Sequence, residues 1–214
     1  TQNLVINLTG RNDLPVLNTL VARTATEGAA LLTGQLDATD VDNGHTLTYG
    51  TTAEVDGFTL NPDGSYSFDP AHSSYQSLPA GAQQTLVISL TVTDEHGGSA
   101  TQNLLIVVTG TNQGAVISGV VSGTVTEDNT SNVAQLLVTG GQLTISDPDS
   151  GETWFSPHSG SDALTGQYGV LTLDVTGAWH YAADNKQALV QQLGQGETLT
   201  EHFTITSVDG TQQI

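Results

Sequence analysis

Two aspartates one residue apart, Asp147 and Asp149, sit in "GQLTISDPDSGET" at 141–153, just after an alternating apolar run. Nearly the same stretch occurs earlier as "GQLDATDVDNGHT" at 34–46, with Asp40 and Asp42. A turn needs one aspartate for its backbone hydrogen bonds. Two close carboxylates repel, so a pair that recurs calls for a compensating cation. Other acids recur with the pair: the Glu of "TE" (Glu27, Glu127) and the Asp after the long C-terminal strand (Asp94, Asp209). Oxygen ligands without a shared His or Cys pattern point to calcium rather than zinc or copper, and calcium takes six to eight oxygens. "DPDSG" imitates the opening of an EF-hand loop, which needs a Glu at position 12. Counted from Asp147 that position is His158, and from Asp40 it is Thr51, so the EF-hand is excluded.

Compensation by the protein's own cations is scarce. The 214 residues hold 3 Lys+Arg (Arg11, Arg23, Lys186) against 22 Asp+Glu, a net charge of -19. Nucleic-acid binding needs a basic face to displace counterions and is excluded on this balance. Anionic lipid surfaces are disfavoured for the same reason, and no stretch is long and apolar enough to insert in a membrane. There is no cysteine, so there is no disulfide.

The elements that must position these acids are strands. "TQNLVINLTGRND" from Thr1 returns as "TQNLLIVVTGTNQ" from Thr101, and the same order of signals follows each. "NPDGSYSFD" at 61–69 answers "DVTGAWHYA" at 174–182, and "LTVTDEHGG" at 90–98 answers "ITSVDG" at 205–210. Runs such as "TLVISLTVT" at 85–93 and "GVLTLDV" at 169–175 alternate with period two, and turn residues punctuate them in the rhythm of a β-sandwich. Only 185–193 has room for a short helical turn. Tyr66, Phe68, Trp179 and Tyr181 fall on alternating positions and read as core between two sheets, in preference to a sugar-stacking platform. The expected organisation is a closing strand and linker at 1–13, a sandwich at 14–112 and a second at 113–214. The second is expected to lack its last strand, since "TQQI" at 211–214 stops where "TQNL" strands begin. How that strand is supplied is left open.

The motifs carry a resemblance. "ATDVDNGHTLTYG" at 38–50 resembles the Asp-x-Asp loop of cadherins, and "LTVTDEHGGSATQNLLIVVTGTN" at 90–112 looks like their closing strands and linker. "VTED", "GQLTISDPDSGETWF", "YGVLTLDVTGAWHYAADN" and "LGQGETLTEHFTITSVDG" resemble the VCBS repeat of large bacterial RTX-type adhesins. The resemblance implies an all-β chain of two tandem Ig-like, cadherin-like sandwiches. It implies a monomeric rod on the bacterial cell surface, with Ca2+ between neighbouring repeats, projecting an adhesive domain in cell adhesion and biofilm formation.

Carried over residue by residue, the joint between the units takes Glu27, Asn112, Asp147, Asp149 and Asp209. An N-terminal half-site takes Asn12, Asp13, Asp40, Asp42 and Asp94, and Glu127 serves a further unit. Asp69 and Asp184 match a further acidic ligand more loosely. The first linker, "RNDLP", keeps the cadherin style, whereas the second, "NQGA", has Gln113 in place of the acid, which implies fewer or weaker ions there.

Two other classes are expected to fail or to be secondary. A sugar- or protein-binding module in the same adhesin would use the insertion at 129–139 or the loop at 156–167. An enzyme would need two carboxyls across a cleft or a nucleophile elbow, and neither pattern appears. "NLT" at 7–9 and "NTS" at 129–131 match the glycosylation pattern and are read as chance in a bacterial chain.

Overall fold

A computed structural model describes residues 2–130 and 135–214. Part of the 129–139 insertion, residues 131–134, therefore lies outside the described residues. The chain divides into two compact units, Thr1–Thr111 and Asn112–Ile214.

Unit one is built from β1 (Val16–Leu17), β2 (Arg23–Thr26), β3 (Leu32–Gln35), β4 (Ala38–Thr39), β5 (Thr48–Thr51), β6 (Phe58–Leu60), β7 (Ser65–Phe68), β8 (Gln83–Thr93) and β9 (Ser99–Thr109). One sheet runs β2-β9-β8-β5 and the other β3-β7-β6, with β1 and β4 as a separate pair. Period two decides what faces inward. Leu86, Ile88, Leu90 and Val92 of β8 and Leu104, Ile106 and Val108 of β9 are buried at alternating positions. They meet Tyr66, Phe68 and Tyr75 in one core. The chain enters the long sheet through β2, which pairs parallel with β9 from Arg23↔Ile106 to Thr26↔Thr109. β9 is thus the central rung between β2 and the full eleven-residue partner β8.

Unit two comprises β10 (Val116–Gly119), β11 (Leu136–Ser146), β12 (Leu164–Thr165), β13 (Gly169–Leu173), β14 (Ala178–Asp184), β15 (Ile205–Thr206) and β16 (Gln212–Gln213), with a single turn of helix, α1 (Ala188–Gln191). β10-β11-β14-β13-β12 form one sheet and β15-β16 a second, short one. Phe155, Leu173 and Trp179 centre one core cluster, and Leu137, Ala183 and Val190 form another. Gly177 turns the β13–β14 hairpin at φ +91, where a Cβ would also press to 2.5 Å from the Leu143 carbonyl. The aromatic residues expected in the cores lie there: Tyr66, Phe68 and Trp179 are buried, and Tyr181 is half-buried against Phe203.

One length differs between the units. The counterpart of β8 in unit two, residues 197–206, is extended strand only at 205–206. The physical reason is pairing. β16 offers two residues, Gln213 opposite Ile205 and Gln212 opposite Thr206, where β9 offers eleven. A strand without a partner has no ladder to fix it.

Candidate metal centre

In unit two the Asp pair closes the end of β11. The Asp147 carboxylate accepts the Asp149 backbone N–H through Oδ1 at 2.8 Å, which folds the loop back on itself. Asp149 Oδ2 accepts the Gln113 N–H at 2.8 Å. That leaves Asp147 Oδ2, Asp149 Oδ1 and Glu152 Oε2 buried and without a donor. Carboxylate oxygens of Asp147, Asp149 and Glu152 lie within 4.8 Å of one another, and Asp149 is only 1% exposed.

Asp209 stands on the hairpin between β15 and β16. It accepts Thr211 N–H at 3.1 Å, Thr211 Oγ1–H at 2.7 Å, Ala115 N–H at 3.2 Å and the Ser207 hydroxyl. Burial pushes its carboxyl up, but these hydrogen bonds outweigh burial and hold it well below the usual carboxylate range. Glu152 moves the other way. Partial burial, then the charges of Asp149, Asp147 and Asp209, raise its proton affinity. A carboxyl raised by its neighbours is one that a cation would relieve.

Unit one repeats this geometry. Asp42 N–H donates to Asp40 Oδ1 at 2.9 Å, and Asp13 N–H donates to Asp42 Oδ2 at 2.9 Å. Asp13 thus stands to Asp42 as Gln113 stands to Asp149. Asp40 Oδ2 is again buried without a donor. Asp94, the counterpart of Asp209, accepts His96 and Gly98 N–H at 2.8 Å and the Asn12 side-chain amide at 3.0 Å. The Asn12 amide and the backbone donors of Gly98, His96 and Gly97, opposed by partial burial, keep Asp94 below its ordinary value. Gly98 lies close beside it: a Cβ there would come to 2.4 Å from Asp94 Oδ2, so the carboxylate would have to shift.

Asn12, Asp13, Asp40, Asp42 and Asp94 are therefore linked by hydrogen bonds in unit one, and in unit two the linker stretch 113–115 bonds to Asp149 and Asp209, with Asp147 tied to Asp149. Elsewhere in the units, Glu27 is buried and accepts the Thr111 N–H at 3.0 Å. Asn112 is exposed. Glu127 is half-buried with Oε2 lacking a donor. Asp69 and Asp184 each cap their own turn, accepting Ala71 and Lys186 N–H at 2.9 Å.

Glu152 was not among the residues singled out from the sequence. Its signal was in the repeat: position 152 is five after Asp147, and five after Asp40 stands His45. Unit two lacks the linker acid that unit one has as Asp13, and Glu152 restores a carboxylate to the loop. Unit one places another, Glu95, on the Thr46 N–H at 2.7 Å.

The donor set fits a hard divalent cation. Every candidate ligand atom is oxygen, several are carboxylates, and buried lone pairs are left over after the backbone is satisfied. Among the described residues the ion pair found is His96 with Glu95 at 3.6 Å, so no lysine or arginine neutralises these carboxylates.

Strand order, sandwich cores and paired loop acids define the class: tandem cadherin-like β-sandwich repeats. The family model described as bacterial cadherin-like domain matches residues 12–110 and again 112–214, and the chain belongs to that family. No catalytic family is indicated. Among solved structures it is similar in fold to a protocadherin gammaB7 EC3-6 cis-dimer structure, at 18% identity and TM-score 0.51, covering 91% of this chain and 43% of that one. Extracellular cadherin domains 1-5 of protocadherin gamma B2 match at 14% identity and TM-score 0.49, covering 79% and 32%. Human CDH23 EC21-23 matches at 14% identity and TM-score 0.47, covering 86% and 58%. The chain thus spans less than half the length of the two protocadherin structures. A search of curated proteins finds no match to its sequence. No described helix is long and apolar enough to cross a membrane.

Proposed function

We propose that this chain is a calcium-stiffened spacer of a large bacterial surface adhesin of the RTX type, holding an adhesive domain away from the cell during adhesion and biofilm formation. The observation that carries the reading is Asp149, buried at 1% exposure with Oδ1 lacking a donor, beside two further carboxylates and no basic side chain. Without a cation the loop holds uncompensated charge, and the linker that hydrogen-bonds to it is loosened. Calcium turns repulsion into ligation and fixes the linker to the sandwich. Asp147, Asp149, Glu152 and Asp209 would hold the ion in unit two. Asp40, Asp42, Asp94 and Asp13 would hold it in unit one. Glu27 and Asn112 are proposed as further ligands where the two repeats join, and Glu127 as a ligand toward a following repeat. Extracellular modules bind calcium at roughly 10⁻⁴ to 10⁻³ M, so the spacer would be loose at cytosolic calcium and stiff outside the cell.

Small-angle scattering of the whole chain in calcium and in chelator tests this. The maximum dimension is expected to be longer and better defined with calcium. The same scattering curve in both conditions overturns the proposal.

A further inference from the structure

The bend that closes unit one's paired-aspartate loop holds a reactive dipeptide. Asn43 is the only asparagine in the chain followed by glycine. The loop is tied down on both sides of it. Asp42 N–H donates to Asp40 Oδ1 at 2.9 Å, and Thr46 N–H donates to Glu95 Oε2 at 2.7 Å. His45 Nδ1 lies 2.9 Å from the Asp42 carbonyl, which only accepts, so the ring nitrogen donates there. The middle of the bend is free. Among the described residues no group bonds to the Asn43 side-chain amide or to the Gly44 N–H. Both residues are exposed and lie outside any strand. Gly44 has φ +76, and a Cβ there would meet nothing within 4 Å, so nothing shields its nitrogen. Other asparagines are engaged: Asn12, Asn18, Asn61 and Asn185 donate their amides to Asp94, Asp37, Ser65 and Asp128. Asn61 also precedes Pro62, which has no N–H.

We propose that Asn43 deamidates spontaneously through a succinimide, and that this loosens the loop's hold on the linker residue Asp13. The Gly44 nitrogen attacks Asn43 Cγ and closes a ring. The Cγ–Nδ2 bond breaks, and the amide leaves as ammonia, carrying the proton that the Gly44 nitrogen gives up. Water then opens the ring. Cleavage at Cγ leaves aspartate, and cleavage at the backbone carbonyl leaves isoaspartate, whose main chain is longer by a methylene. Either product adds a negative charge beside Asp42 in a chain already at -19. Isoaspartate also lengthens a bend whose anchors on both sides fit the shorter one. Asp42 Oδ2 is the acceptor of the Asp13 N–H, so a displaced Asp42 releases the linker. Unit two is exempt, because its matching residues are Ser150 and Gly151 and serine has no amide to lose.

The whole chain is aged in chelator at mildly alkaline pH, digested, and its asparagine peptides are weighed by mass spectrometry. The Asn43 peptide is expected to convert to aspartate and isoaspartate while the other asparagines stay intact, with an equal amount of ammonium released. Asn43→Ser, which copies unit two, should release none. The aged form, separated by its added charge, should exchange the Asp13 N–H with solvent faster than the fresh form. An Asn43 that stays intact overturns the proposal. So does aspartate without isoaspartate, since direct hydrolysis of the side chain makes aspartate alone. Equal exchange at Asp13 in the two forms overturns the release of the linker.

Discussion

Replacing Asp149 by asparagine separates a cation site from a turn. The carboxylate oxygens of Asp147, Asp149 and Glu152 approach within 4.8 Å. At an effective dielectric near 20, two unit charges at that separation repel by about 3.5 kcal/mol. Asp147 is half exposed, so water screens part of this, and about 1–2 kcal/mol of repulsion survives for the Asp147–Asp149 pair. Asparagine keeps an oxygen for the Gln113 N–H and removes the charge. In chelator, Asp149→Asn is therefore expected to stabilise unit two by about 1–2 kcal/mol. In calcium the order reverses. Free calcium at about a hundred times its Kd stabilises the native protein by about 2.7 kcal/mol, and the variant forfeits most of that. Urea unfolding followed by tryptophan emission reads unit two alone, because Trp154 and Trp179 are the chain's 2 tryptophans. A variant destabilised equally with and without calcium would refute the reasoning, since Asp149 would then serve only to hold the Gln113 backbone.

Glu152→Gln should weaken calcium binding at unit two about tenfold and leave unit one unchanged, read as one altered site by calorimetry. Because burial and three aspartates raise the Glu152 carboxyl above its ordinary 4.5, native affinity should begin to fall as pH drops through values above 4.5, and Glu152→Gln should lack that step. Asp174 is held below 3.8 by the Thr176 hydroxyl and by backbone N–H groups of Ala178, Thr176 and Gly177, partly opposed by burial. Its contribution to stability is thus complete above 3.8 and lost as pH falls through its depressed value. Asp174→Ala should lower unit two's urea midpoint at neutral pH and flatten its acid limb. Phe155→Ala removes a side chain at 0% exposure from unit two's core. It is expected to cost about 3–5 kcal/mol, moving the tryptophan-detected melting transition down while unit one's, followed by circular dichroism, stays in place.

The strands were legible because burial on one face writes period two into the sequence. β8 and β9 show it over eleven residues each, and the fold class followed from that rhythm and from the repeat. The Asp-x-Asp loops were legible because they recur. Glu152 was not, because reading by recurrence discards a residue that differs between copies, and His45 stands in its place.

The pairing of β2 with β9 also bears on how the protein responds to traction. In unit one the strand by which the chain enters and the strand by which it leaves lie side by side and run the same way. Pulling the two ends apart loads their hydrogen bonds lengthwise and together, so the unit resists as a shear joint.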